Sequence, residues 1–245
     1  MKQNKGQIAI IVLLASAIVL TLGLSASKKA VTDTKVDTDE QLLKEAFNAA
    51  ESGINNYIND GSFSYEAGNG AKANVNSTVI GGGTSIASEG PVLKNNNQLF
   101  WLVNHESNGD IGSNYYGSTP LILTVNDTFN GSLKIDYFYK NGAVYGVTHL
   151  GYNFSLPGAV DGYTYSSTKK VSIPTTGDSL LLVVTPLVSN TNISLSGASN
   201  FPDQGEELTA VGTAGDGVKT QIRTRNIYQI PSFFMEAITA GNIIE

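Results

Sequence analysis

The chain has 245 residues, a formal charge of −6, no cysteine and 41% hydrophobic residues. The missing cysteines exclude thiol nucleophiles, zinc–thiolate sites and disulfides, and the acidic balance disfavours an overall attraction to nucleic acid. The length suffices for a long helix and one sizeable β domain.

The first element is an apolar run fenced by lysines, KGQIAIIVLLASAIVLTLGLSASKK, from Lys5 to Lys29. No charge interrupts Gly6 to Ser27, and the stretch approaches the length of a bilayer core at 1.5 Å per residue. Two fates compete: a span that is kept, or a secretory signal cut before Ala26, where Gly23, Leu24 and Ser25 supply small residues. Lysines on both flanks leave the orientation undecided. Gly23 is open to two readings: a glycine tolerated as in other membrane helices, or a site where the helix would kink or locally melt.

The pattern then continues as helix, with no proline and no further glycine before Gly53. Leu43, Phe47, Ala50, Ile54 and Tyr57 recur at three- and four-residue steps, with Ala46 and Ile58 beside them, and predict an apolar stripe that packs against the rest of the protein. Asp33, Asp37, Asp39, Glu40, Lys44, Glu45 and Glu51 form a polar face. From Gln7 to Asn59 the helix would hold 53 residues and reach about 80 Å, too long to bury in one small domain.

Composition changes near Asp60: all seven prolines lie beyond it, and of the 26 glycines only Gly6, Gly23 and Gly53 precede it. The stretch from Gly61 to Asn97 reads as a long connection with at most one weak strand. Strands follow in QLFWLV, PLILTV, SLKIDYFYK, AVYGV, SLLLVVTPLV, NISLSG, ELTAVGT and GVKTQIRTRNIYQI. Leu133, Ile135, Tyr137 and Tyr139 share one face of a strand, and Val218, Thr220, Ile222, Thr224 and Tyr228 oppose Lys219, Gln221, Arg223 and Arg225 in another. Asn141-Gly142 predicts a two-residue hairpin turn. The segment IPSFFMEAITAG predicts a short closing helix in which Phe233, Phe234 and Met235 belong to a core or interface. The expected fold is α+β: a long N-terminal helix, its first half transmembrane, packed on a C-terminal antiparallel β-sandwich-like domain.

Two motifs together carry a family resemblance. KGQIAIIVLL after a short basic leader, then a continuous helix ending in EAFNAAESGINNYI, resembles type IV pilin-like proteins, in particular minor pilins of the PilX type. The resemblance implies cleavage after Gly6 by a prepilin peptidase and N-methylation of Gln7. It implies a leader at 1–6, a helix at 7–60 with its membrane or filament-core segment at 8–26, and an extracellular β-rich head at 61–245. Ile8, Ile10, Ile11, Val12 and Leu13 would pack against neighbouring subunits in the filament core. The implied partners are other pilin subunits, the prepilin peptidase, the inner-membrane assembly platform, the membrane itself and a cell-surface or glycan receptor. The implied location is the cytoplasmic membrane for the precursor and a surface filament afterwards. Gln7 replaces the usual Phe or Met of major pilins, and Ile11 stands where they carry Glu, which leans toward a minor or tip subunit. Loss of the leader with Lys2 and Lys5 would leave 13 basic against 21 acidic residues, a charge of −8.

Chemistry is sparse. His105 in NHESNGD and the carboxylates of DQGEE at 203–207 could hold a hard cation weakly, but the polar-turn reading is the simpler one and no metal is assigned. His149 reads as a strand residue. IGGGTS lacks the lysine of a phosphate-binding loop. Lys219, Arg223 and Arg225, and separately Lys169-Lys170, form small basic clusters that solubilise a sheet or, alternatively, touch nucleic acid. No catalytic residue and no cofactor is expected. The sequence therefore predicts a structural filament subunit rather than an enzyme. A single-span anchored β-sandwich adhesin and a secretion-system pseudopilin stand as alternatives, and a glycan-active enzyme as a distant third.

Overall fold

The computed structural model describes residues 5–106, 109–117, 120–155, 160–230 and Phe234, with side chains from Ile10 onward. Among the described residues a long helix, α1 (Lys5–Asp60), is followed by fifteen strands. These are β1 (Ser64–Glu66), β2 (Lys72–Ile80), β3 (Ser85–Ala87), β4 (Gln98–Trp101), β5 (Val103–His105), β6 (Ile111–Tyr115), β7 (Leu121–Val125) and β8 (Ser132–Asn141). The series continues with β9 (Val144–Asn153), β10 (Thr164–Tyr165), β11 (Lys170–Ile173), β12 (Asp178–Pro186), β13 (Ile193–Ser196), β14 (Gly205–Ala214) and β15 (Val218–Ile227). The long apolar helix packs against antiparallel strands, and antiparallel-rich sheets make up most of the remaining described structure, the expected α+β class. Two compact units divide the chain, Met1–Asn76 with Leu208–Thr224, and Ser77–Glu207 with Arg225–Glu245.

In the first unit α1 runs through Gly23 without a break and spans 56 residues, about 84 Å. Gly61 ends it, with φ +76° and its N–H donating to the Tyr57 carbonyl at 2.8 Å; only glycine adopts that left-handed closure without strain. The helix rests on parts of a sheet with strand order β1-β2-β14-β15. Leu42, Ala46, Ala49, Ala50, Ile54 and Tyr57 meet Ala71, Ala73, Val75, Leu208, Ala210 and Ala214. Small side chains on both surfaces let the backbones approach closely. A Cβ added at Gly212 would lie 1.9 Å from the Ala46 carbonyl oxygen, and one at Gly53 would lie 2.9 Å from the Ala73 Cβ.

The region expected to be a long connection with at most one weak strand contains three strands, β1, β3 and the nine-residue β2. Its signal was weak because the buried positions Ala73 and Val75 alternate with Lys72, Asn74 and Asn76, so tertiary contact with the helix overrides low β propensity.

In the second unit two sheets, ordered β10-β9-β8-β12-β4 and β11-β7-β13-β3, enclose one core. Leu133, Ile135, Tyr137, Leu182 and Val184 from the first sheet meet Leu121, Leu123, Ile173, Ile193 and Leu195 from the second, which makes the expected sandwich. β8 departs from the expected half-buried pattern, since Asp136 and Phe138 on its other face are also buried. There Phe138, Leu181 and Val183 form a second core with Trp101, Val103 and Phe234, joined by partly buried Tyr228 and Ile230. Phe234 thus occupies a core; Phe233 and Met235 lie outside the described residues. The β8–β9 turn is one residue later than expected. Asn141 pairs with Val144, leaving Gly142 and Ala143 as the turn, with φ +62° at Gly142 alone, the pattern of a type II′ rather than a type I′ turn.

Candidate functional site: an uncovered helix on a small sheet

Every side chain from Ile10 to Gln41 is exposed. Ile10, Ile11, Val12 and Leu13, expected to pack against other subunits, are 62–71% exposed in the isolated chain, while Gly6, Gln7 and Ile8 lie where only the backbone is described. Ten large aliphatic side chains between Ile10 and Leu24 are at least half exposed. Complete burial of such a side chain is worth about 1.5–3 kcal/mol, and with somewhat over half of each still exposed, covering them is worth roughly 10–20 kcal/mol. Water is a poor environment for such a surface. Among the described residues one helix is long and apolar enough to cross a membrane, and it lies near the N-terminus. The polar residues in this run suit that use, because Ser16 and Thr21 return their hydroxyls to the carbonyls of Leu13, Ala17 and Ile18 at 2.8–3.1 Å. Each donor is thereby satisfied inside the helix, as a hydrocarbon environment requires.

The expected helix-to-head stripe is only partly where the periodicity put it. Ala50 and Ile54 are buried and Tyr57 is half-buried, whereas Leu43 and Phe47 are about half exposed at 48% and 47%. The covered stripe is centred on Leu42, Ala46, Ala49 and Gly53 instead. Leu43 and Phe47 carry the stronger apolar signal in the sequence, yet close approach to β14 selects small residues at the centre. Leu43 and Phe47, with Val36, form an uncovered apolar strip beside it.

The remaining polar candidates are structural. His105 stacks on Tyr228 with ring centroids 3.9 Å apart and stands edge-on to Trp101 at 4.5 Å. Both its ring nitrogens are buried without a hydrogen-bond partner among the described residues, and burial holds its pKa below the usual histidine value. His149 is a strand residue, as expected, and its Nδ1 lies 2.7 Å from Oδ1 of the buried Asp136. Lys134 Nζ is 3.3 Å from Oδ2, an ion pair outside hydrogen-bonding geometry. Among the described residues no three His, Asp or Glu side chains are grouped to hold a metal.

Two of the three carboxylates of 203–207 are engaged with the protein: Glu206 accepts from Ser77, and Glu207 pairs with Arg225 at 3.3 Å. Arg225 also pairs with Glu89 at 3.1 Å, which withdraws it from the basic stripe expected on β15. It borders a recess of about 240 Å³ whose floor includes Ile86, Leu99 and Phe100. Lys169 is likewise turned inward, donating to the carbonyls of Phe129 and Phe154 and to Asn130 Oδ1, so it forms no surface cluster with Lys170.

Gln204 carries a structural role with no signal in the sequence. It is buried; its Oε1 accepts from Trp101 N–H at 2.6 Å and its Nε2 donates to the Trp101 and Pro202 carbonyls at 2.9 and 2.7 Å. It thus closes the free edge of β4 in place of a strand. No local pattern in DQGEE distinguishes this glutamine from a surface one. No protein-family model matches the chain, and no curated protein or solved structure shows significant similarity to it.

Proposed function

We propose that the protein is a structural subunit of a type IV pilus-like surface filament, inserted first in the cytoplasmic membrane and cleaved after Gly6. In this reading the apolar half of α1 exchanges lipid for the helices of neighbouring copies, while the β-rich remainder is displayed outward for subunit contacts or adhesion. The observation that carries the reading is the division of a single unbroken helix. Residues 10–41 are bare, and the helix from Leu42 to Tyr57 is fixed to a sheet through an Ala/Gly seam. A signal peptide has no need of continuous helix extending far beyond its apolar run. The leader sequence KGQ supports the peptidase site, and the self-contained roles of Asp136, His149, Glu206, Glu207 and Arg225 give no support to a catalytic reading.

The test replaces the leader glycine. Gly6→Val should leave the precursor in the membrane at full length and remove it from sheared surface material. Unchanged processing and unchanged surface release would defeat the proposal.

A further inference from the structure

The small sheet of the first unit has two faces, and the helix occupies one. On the other, strand alternation places Lys72, Asn74, Thr209, Val211, Lys219 and Arg223. Lys219, Gln221 and Arg223 are exposed, Val211 is half-buried, and Lys72 meets Glu66 at 3.1 Å in an ion pair whose side chains are both more than half exposed. Such an exposed pair contributes little. Lys219 has no ion-pair partner among the described residues.

The same unit carries a surface of opposite sign. Between Val31 and Glu51 the helix has six acidic and two basic residues, a net charge of −4. At 100° per residue, Asp33, Asp37, Glu40 and Glu51 fall within about 60° of one another, on the side away from the sheet-covered stripe. All four are exposed, and Asp33 and Asp37 repel each other as an i,i+4 pair. The half-exposed Val36, Leu43 and Phe47 run alongside.

Helices of several copies lying side by side in register would bring these acidic stretches together, which costs free energy unless a cationic surface intervenes. We infer that the outer face of this sheet docks on the acidic stretch Asp33–Glu51 of a second copy. Lys219 and Arg223 would answer Asp37 and Glu40, and Val211 would meet the apolar strip of Leu43 and Phe47. The inference rests on the filament reading and names the contact through which copies pair outside the apolar core.

The test uses the full chain in detergent micelles and on cells. Lys219→Glu/Arg223→Glu should weaken self-association by at least about tenfold and lower its recovery in sheared filaments. Asp37→Lys/Glu40→Lys should do the same, and mixing the two reversed chains should restore association. Because Arg223 has a contact within its own chain, Lys219→Glu/Gln221→Glu is the companion variant; it should reproduce the loss with unchanged circular dichroism. Either reversed chain self-associating and entering filaments as the wild type does would overturn the contact while leaving the filament reading intact. Loss on the sheet side that the helix reversal does not rescue, accompanied by loss of heparin binding, would overturn it in favour of an external polyanion. A wild-type chain that neither self-associates nor enters filaments would overturn both.

Discussion

Gly212 offers the sharpest perturbation of the helix–sheet seam. An alanine Cβ there would sit 1.9 Å from the Ala46 carbonyl oxygen and 2.9 Å from the Ala50 nitrogen, both rigid helix backbone. To reach even a tight 3.0 Å contact, β14 and α1 must separate by about 1 Å. A gap of that size forfeits up to about half of each dispersion contact across it, and overpacking of this kind typically costs 1–3 kcal/mol. Backbone cannot rotate aside as a side chain can, so Gly212→Ala should fall at the upper end, about 2–3 kcal/mol. At 1.4 kcal/mol per tenfold, this becomes about 30–150-fold faster amide exchange through local opening. Hydrogen exchange read by mass spectrometry on the full chain in detergent should show the acceleration at residues 42–57 and 208–214. β8 and β12, whose sandwich core does not include this seam, should keep their protection. Gly68→Ala is the control, since a Cβ there meets nothing within 4 Å and its φ lies outside the left-handed range. Protection at 42–57 within threefold of wild type in Gly212→Ala would refute the close-packing argument.

Two further predictions concern the second unit. Gln204→Ala leaves the N–H and carbonyl of buried Trp101 without their side-chain partner, at about 1–3 kcal/mol for each unsatisfied group; the urea midpoint followed by Trp101 fluorescence should fall accordingly, and an unchanged midpoint would show that the β4 edge is closed otherwise. For His105, burial lowers the folded-state pKa, so the unfolded chain takes up the proton first as pH falls. Its contribution is therefore complete above about pH 6.5 and is lost as pH drops below that value toward the lowered folded pKa. The urea midpoint should decline between pH 7.5 and 5.5 more steeply in wild type than in His105→Phe, and parallel declines would remove this histidine as a cause.

Much of the architecture is legible in the residues, for reasons that also mark the limits. Leu133, Ile135 and Tyr137 alternate cleanly and do line the sandwich core, because a strand's period of two is imposed by local geometry. The same alternation gave no hint that Asp136 and Phe138 are covered from the other side, since that cover includes Tyr228 and Phe234, nearly a hundred residues onward. The helix was clear in outline, but its contact stripe was displaced. Leu43 and Phe47 have the greater hydrophobicity, yet Ala46, Ala49 and Gly53 face the sheet because Gly212 brings its backbone against the helix. β2 gives only a weak strand signal for the related reason that its inward residue Ala73 is small, and small residues signal little until a partner surface is known. Arg225 and Lys169 read as surface charges because their partners, Glu89 and the Phe129 carbonyl, are distant in sequence. The bare apolar segment, by contrast, was fully legible, since its character resides in consecutive residues.

The most direct test of the filament account is the N-terminal residue of the mature protein, determined by mass spectrometry on material from membranes and from sheared surface fractions. The account predicts Gln7, N-methylated, in both fractions. A mature chain beginning at Ala26 would mean that the apolar run had been discarded as a secretory signal, and a chain retaining Met1 in the membrane and missing from sheared material would mean a permanent anchor; either result would contradict it.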